Sequence, residues 1–404
     1  MKIFQKTGSV LIPLIVGMTL IAVFSTTILT TTTTTTYNEQ AGNALAQARY
    51  MAESGRRCVK NNILPPLTKD YSLSNGFGFS VIENQGAVIG IVNKDTIFEA
   101  RRIVNLNMPM AGNGTDANPW QISTPTQLQN VGSGTSHNDG SGNDYKLSEF
   151  YEVAADIVLN PDDNFDPIGE SGIDKQFSGS FDGKGHMIKN LTINRPEDDS
   201  VGLFASAGLN VNITSINLID VNINGHDDVG GLIGWFGWNT PNFVSKCSVT
   251  GTVSGRRYIG GLIGSVINNE NSISDCYSQA DVRWNDDDSF TTSASYGGLI
   301  GWVWHSPDIK RCYAIGKLTV PPSDPSYTIE KGGLVGKTSS VNALVYSYYD
   351  CDIYGSCAVP APIKGTPLKS VDMNLRTSYS EASPDGWDFV DVWFEPAGAP
   401  PVLR

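Results

Sequence analysis

Four histidines (His137, His186, His226 and His305) and six cysteines (Cys58, Cys247, Cys276, Cys312, Cys351 and Cys357) are the residues best suited to nucleophilic or metal chemistry. The cysteines form no CxxC pair and the histidines no HExxH, which excludes the usual structural zinc site and that type of zinc metallopeptidase. Cys351 and Cys357 enclose Asp-Ile-Tyr-Gly-Ser, and an oxidising exterior favours a local disulfide there. Cys247, Cys276 and Cys312 open three similar segments, where stacked, buried thiols acting as small apolar residues are expected. Asp162, Asp163 and Asp166, and the run Asp286–Asp288, offer oxygens to calcium but lack the EF-hand spacing, so solvated acidic loops are expected. Asp227-Asp228 beside His226 is an acid pair without a recognisable catalytic motif. No catalytic residue, cofactor or metal is assigned, and a non-enzyme is expected.

Aromatic residues suggest binding instead. From Ile223 to Gly230 and from Val253 to Gly260 the step is seven residues, but it is 15 from Val282 to Gly297 and 14 from Leu318 to Gly332. Insertions at one corner of successive repeats often form a binding face. One insertion holds Trp284, Asp286, Asp287 and Asp288; the other holds Tyr327 among prolines. Trp235 and Trp302 follow two of the repeat units, as packing residues or as a strip on which sugars stack. These seven are the candidate ligand-binding residues.

Composition narrows the partners. The chain has 404 residues, 28 Lys+Arg, 41 Asp+Glu and a net charge of −13. Phosphate binding needs clustered Lys and Arg, so nucleic acid is excluded as a partner. Neutral sugars or surface proteins are the expected ligands. Only 17% of residues are charged and 42 are Gly, which disfavours helical bundles and favours short strands joined by tight turns.

The elements that must position these side chains are repeats. Gly-Gly-Leu-Ile-Gly occurs at Gly230–Gly234, Gly260–Gly264 and Gly297–Gly301, with Gly-Gly-Leu-Val-Gly at Gly332–Gly336. In step with it, alternate small or apolar residues recur: Cys247, Val249, Gly251, Val253; Cys276, Ser278, Ala280, Val282; Cys312, Ala314, Gly316, Leu318. Asn217, Ile219, Val221 and Ile223 fit one turn earlier. A period of roughly 30 to 37 residues with in-register alternation predicts a β-helix, whose turns bury their inner faces only by stacking. The repeated glycines are expected at sharp corners or at positive φ.

The N-terminus differs. Lys2 and Lys6 precede Ser9–Leu29, which is 21 residues without a charge, and about 20 helical residues cross a bilayer. From Tyr37, Ala41, Ala44, Ala48, Ala52 and Gly55 form a stripe of small residues at helical spacing. Residues 61–110 alternate apolar and polar and read as a small β module.

Two resemblances follow from these residues. GSVLIPLIVGMTLIAVFSTT with NALAQARYMAESG resembles the N-terminal segment of type IV pilin-like proteins, especially minor pilins of the PilX type. It implies cleavage by a prepilin peptidase after Gly8, leaving Ser9 first, and packing against other pilin subunits. Pro13 stands where most pilins carry Glu, which favours a low-copy or tip subunit. The repeats, with ANPWQISTPTQLQNV before them and YSYYDCD and GWDFVDVWFEPAGAPPVLR after, resemble the GLUG-motif family of bacterial surface proteins, which implies a right-handed parallel β-helix. The expected organisation is a leader at 1–8, a hydrophobic helix at 9–60, the small sheet at 61–110 and the β-helix at 111–404. The expected function is a minor, tip-type pilus subunit that displays an adhesive β-helix. It would sit in the inner membrane before assembly and in an extracellular filament afterwards. A ligand-free coat subunit and a pilus-borne polysaccharide-degrading enzyme are the alternatives.

Overall fold

The computed structural model describes the strands of 69–105 and residues 110–404, except 134–144, 173–174, 238–240, 269, 286–292, 323–327, 340–343, 356, 358–364 and 382–385. Gly8, Ser9 and the expected hydrophobic helix lie outside the described residues. Among the described residues no helix is long and apolar enough to cross a membrane. The chain divides into two compact units, 1–108 and 109–404.

In the first unit, Lys69–Ser72, Gly78–Asn84, Ala87–Lys94 and Phe98–Asn105 form a four-stranded antiparallel meander in sequence order. Asn84 pairs with Ala87, so the central hairpin closes over two residues.

The second unit is a parallel β-solenoid. One turn runs through Asn212–Thr214, Asn217–Asn224, Asp227–Gly230 and Ile233–Phe236, and Asn242–Ser245 begins the next. Each segment stacks in parallel on its counterpart, giving four sheets: a back sheet, a long sheet, a front sheet and a glycine sheet, in that order. Asn212 pairs with Phe243, Phe243 with Ser272 and Ser272 with Asp308, so successive turns take 31, 29 and 36 residues.

The alternating rows of the long sheet point inward. Val249, Val253, Cys276, Ser278, Ala280 and Val282 are fully buried, and Val249–Ser278, Gly251–Ala280 and Val253–Val282 are in register. One turn earlier the inward residues are Leu218, Val221 and Ile223. The register shifts between Leu218 and Val221, so the strict alternation expected through Ile219 is broken by a bulge. A second column fills the opposite wall: Leu203, Leu232, Leu262, Leu299 and Leu334 are all fully buried, and each leucine from Leu232 to Leu299 donates its N–H to the next leucine's carbonyl at 2.9 Å.

The glycine motifs sit at the corner between the front and glycine sheets, as expected, but not for positive φ. None of Gly230, Gly234, Gly260, Gly264, Gly297 or Gly301 has a positive φ. A Cβ on Gly264 would lie 2.5 Å from the Asp228 carbonyl carbon, and one on Gly301 2.5 Å from Ile259 N. The third glycine of each motif therefore lets the glycine sheet press its backbone onto the front sheet. The corner between back and long sheets is built instead from Lys184, Ser215, Lys246, Asp275, Arg311 and Tyr346, all with φ between 49° and 57°. Left-handed backbone costs a non-glycine residue roughly 1–2 kcal/mol. The stacking offsets that cost, because the N–H groups of Ser215, Lys246, Asp275 and Arg311 bond the next turn at 3.0–3.1 Å.

The C-terminal segment closes the outer face of the long sheet. Met373, Tyr379, Trp387, Phe389 and Trp393 pack on Tyr277, Tyr313 and Tyr348. Tyr277 and Tyr313 stack at 4.9 Å, nearly parallel, and Tyr313 donates its hydroxyl to the Pro401 carbonyl at 2.6 Å.

Gly264→Ala puts a methyl group into backbone that no side-chain rotation can clear. The expected outcome is a loss of about 3 kcal/mol in urea unfolding, at the upper end for overpacking. Ser265→Ala, one residue away, is the comparison for loss of a side chain without a clash.

Candidate functional site

The site lies where the chain leaves the long sheet for the front sheet. One turn makes this corner with two residues, 225–226, and the next with Arg256 alone; the following two spend nine each, 285–293 and 320–328. The step-length reading of the sequence located this corner. Asp286, Asp287, Asp288 and Tyr327 lie outside the described residues. Trp284 is half-buried and packs on the core. Sequence reasoning missed Asn285, which roots the first of these connections: its Nδ2 donates to the Gly225 carbonyl at 3.0 Å and its N–H to the Gly255 carbonyl at 3.3 Å.

Below the loops the corner is a ladder of charge. His226 Nδ1 lies 2.7 Å from Asp199 Oδ1. Asp227 is 3% exposed and accepts a two-pronged contact from Arg256, Nε to Oδ1 at 3.1 Å and Nη2 to Oδ2 at 2.9 Å. Arg257 adds Nε to Oδ2 at 2.8 Å. Burial pushes the Asp227 carboxyl up, but the two guanidiniums outweigh it and hold the group below the usual carboxylate range. Asp199, His226 and Asp227 bring their ligand atoms within 4.8 Å of one another, so they could hold a cation. Such an ion would have to displace both arginines from Asp227.

Asp228 behaves oppositely. Its backbone is left-handed, with φ 54°, and its carboxyl turns into the seam between front and glycine sheets, where Ser265 Oγ donates to it. Burial pushes its pKa up to about 7; the Ser265 hydrogen bond and Arg257 oppose this, and the charges of Asp227 and Asp199 add to it. Tyr258, the equivalent left-handed residue one turn on, fills the seam by stacking on Trp302 at 4.6 Å. Trp302 also stacks on Trp304 at 4.9 Å, and the Arg257 guanidinium sits 5.4 Å from the Tyr258 ring centre. The ring surfaces of Trp302 are thus used on its neighbours, and its Nε1 is buried without a hydrogen-bond partner. Trp235 occupies the same column as Trp302 with Ser265 between them, and is half-buried.

Next to this corner an open groove of about 860 Å³ runs along earlier turns, lined by Asp166, Glu170, Arg195, Glu197, Asp198 and Asp199 among others. Arg195 bridges Asp166 and, at 3.1 Å, Asp198. Asp166 is therefore tied to a guanidinium, and Asp162, Asp163 and Asp166 are all exposed. Asp199 belongs to both groove and corner. Elsewhere, Cys351 and Cys357 are disulfide-bonded, and Cys247, Cys276 and Cys312 are free and buried.

No protein-family model matches the chain. This overturns both family resemblances: neither the pilin-like nor the GLUG-motif assignment stands. The Gly-Gly-Leu-Ile-Gly signature states a packing requirement, since any solenoid whose two sheets touch through backbone needs glycine there, so it specifies no lineage. The pilin-like match rested on 1–60, where no residue is described. A stretch of 158 residues is 34% identical to halomucin of Haloquadratum walsbyi, covering 38% of this chain and 2% of halomucin. A stretch of 106 residues is 33% identical to a "putative Gly-rich membrane protein" of Evansella cellulosilytica, covering 26% of this chain and 11% of that one. The chain spans only those small fractions of both relatives. A crystal structure of a "putative immunoglobulin A1 protease" from Bacteroides ovatus superposes with a TM-score of 0.50 at 19% identity, covering 72% of this chain and 94% of that one. The likeness is one of fold.

Two substitutions test the electrostatics. Asp227→Ala removes the carboxylate that both guanidiniums share, and a loss of about 3 kcal/mol in denaturant unfolding is expected, as for breaking a buried ion pair. Asp228 is expected to make stability depend on pH. Unfolded, its carboxyl titrates near 3.9; folded, it keeps its proton to about 7. Its contribution is fully present below about pH 4, is lost as pH rises towards 7, and amounts to about 4 kcal/mol at most. Thermal melts of Asp228→Asn should lose that downward slope across pH 4–7, and an unchanged slope would assign it to other groups.

Proposed function

We propose that residues 109–404 are a cell-surface display module that binds a polyhydroxylated ligand, with no catalytic step of its own. The supporting observation is the arrangement of the corner: two nine-residue connections start and end there, beside an open polar groove, and Asp199 belongs to both corner and groove. The exposed carboxylates of Asp166, Asp198 and Asp199 suit sugar hydroxyls, which donate two at a time to one carboxylate. The engaged state of the ladder argues for positioning over catalysis. Asp227 is held by two arginines, His226 by Asp199, and Asp228 lies in the seam. The two sequence relatives, a halomucin and a membrane protein by name, favour a location at the cell exterior.

The full chain is the reagent for the test, on a glycan array and on whole cells. Binding is expected, with a loss of at least tenfold on deleting 286–292 or on Asp198→Asn with Asp199→Asn. Equal binding by all of these proteins would locate the contact elsewhere. Release of cleaved polysaccharide or peptide would overturn the non-catalytic reading, and absence of binding to every glycan and cell would favour a ligand-free structural role.

A further inference from the structure

Cys247, Cys276 and Cys312 are fully buried in consecutive turns and adopt one repeated pose. Their sulfurs lie 3.1, 3.1 and 3.3 Å from the carbonyl oxygens two residues earlier, those of Ser245, Ser274 and Lys310. They lie 4.0, 3.9 and 3.8 Å from carbonyls of the preceding turn, those of Ile213, Val244 and Ile273. The backbone is in step as well: Tyr277 N–H bonds the Cys247 carbonyl at 3.0 Å and Tyr313 N–H the Cys276 carbonyl at 3.1 Å. Identical poses on stacked strands repeat at the strand spacing, about 4.8 Å. Four-coordinate zinc–thiolate bonds are about 2.3 Å and those to a two-coordinate ion are shorter, so about 4.6 Å is an upper bound on the bridged sulfur separation and the thiols must close by a few tenths of an ångström on loading.

We propose that this thiol column is a linear site for a soft, closed-shell monovalent cation, Cu(I), with Cys276 as the shared middle ligand. Thiolates select such ions over harder divalent ones. Loading is a proton exchange without change of oxidation state: three thiols and two Cu(I) give Cys247–Cu–Cys276–Cu–Cys312 and release three protons. One ion on two thiolates carries a net charge of −1, and two ions on three thiolates carry the same, so electrostatics does not oppose filling the second position. Burial pushes the Cys276 thiol well up, and contact with the other two thiols adds to this, so affinity should rise with pH. The column is closed by apolar Ile216 at one end and by Ser347 at the other, both fully buried. Ser347 keeps the same pose, with its Oγ 3.0 Å from the Val345 carbonyl. Serine is therefore tolerated in the column, which makes it the substitution of choice.

The test refolds the full chain in Cys58→Ser form, without oxygen, in the presence of Cu(I) buffered by a competing chelator. Two bound ions are expected for this parent. Cys247→Ser and Cys312→Ser should each keep one, and Cys276→Ser should bind at least tenfold less. X-ray absorption should show two sulfur neighbours per ion, at a distance shorter than the roughly 2.3 Å of a four-coordinate zinc thiolate. Circular dichroism of each variant refolded in parallel without copper checks that it folds. Retention of copper by Cys276→Ser, equal binding by all variants, three sulfur neighbours per ion, or a disulfide between these cysteines in the isolated chain would overturn the proposal.

Discussion

The solenoid depends on a contact between two backbones with no side chain between them. Where the front and glycine sheets meet, Gly234, Gly264 and Gly301 face Val201, Val229 and Ile259 so closely that a single methyl group on the glycine would overlap backbone atoms. The second glycine of each motif does the same towards the interior: a Cβ on Gly261 would lie 2.0 Å from Ser278 Oγ. The coil is therefore thin at this edge, and its lumen is filled by the leucine column, the short side chains of the long sheet and the back-sheet column of Ile213, Val244, Ile273 and Ile309. Because the spacing is fixed by contact, a residue in the seam has little freedom. Asp228 and Tyr258, turned inward by left-handed backbone, must each find a partner one turn on, and they find Ser265 and Trp302. The perturbed carboxyl and the aromatic stack are consequences of the glycine contact.

The same constraint separates what is rigid from what varies. Inside the turn each position is repeated by its neighbour, so a longer turn cannot be absorbed there without breaking a ladder. At the corner after the long sheet, eight extra residues in one turn and seven in the next leave the registers Val253–Val282 and Val282–Leu318 intact. The charge ladder beneath fixes where the loops start. Asp227, held by Arg256 and Arg257 of the next turn, ties two corners together, and Asn285 ties the loop to both. A rigid base with loops on one edge gives specificity by loop sequence at little cost to the fold.

Much of this was legible in the sequence. Alternation in the segments from Cys247, Cys276 and Cys312 named the inward rows, and step lengths located the corner, because both are periodic properties that one chain displays several times. Three things were not legible. The bulge at Ile219-Asp220 adds a residue without altering hydrophobicity, so periodicity slides past it. The left-handed corners at Ser215, Lys246, Asp275 and Arg311 carry no glycine or asparagine, and a hydrogen bond from each N–H to the next turn holds them. The groove brings Asp166 together with Asp198 and Asp199 from another turn, and the pairing of residues about 30 apart becomes readable only once the turn length is known. The seam explains the misjudged glycines: a requirement for close approach and a requirement for positive φ leave the same letter in the sequence.

A repeat that copies a residue also copies its environment, and that bears on the thiols. A lone buried cysteine is a small apolar residue. Three in one pose, a strand spacing apart, form a periodic array whose spacing was set by backbone hydrogen bonds and not by any ligand. The coincidence of that spacing with a linear two-sulfur bridge is therefore general to stacked parallel strands, and any such column of cysteines inherits it. What this chain adds is closure: Ile216 and Ser347, both fully buried, end the column, so no fourth sulfur continues it. The array offers each ion two sulfurs, one from each of two adjacent turns, much as the seam offers Asp228 and Tyr258 one partner each.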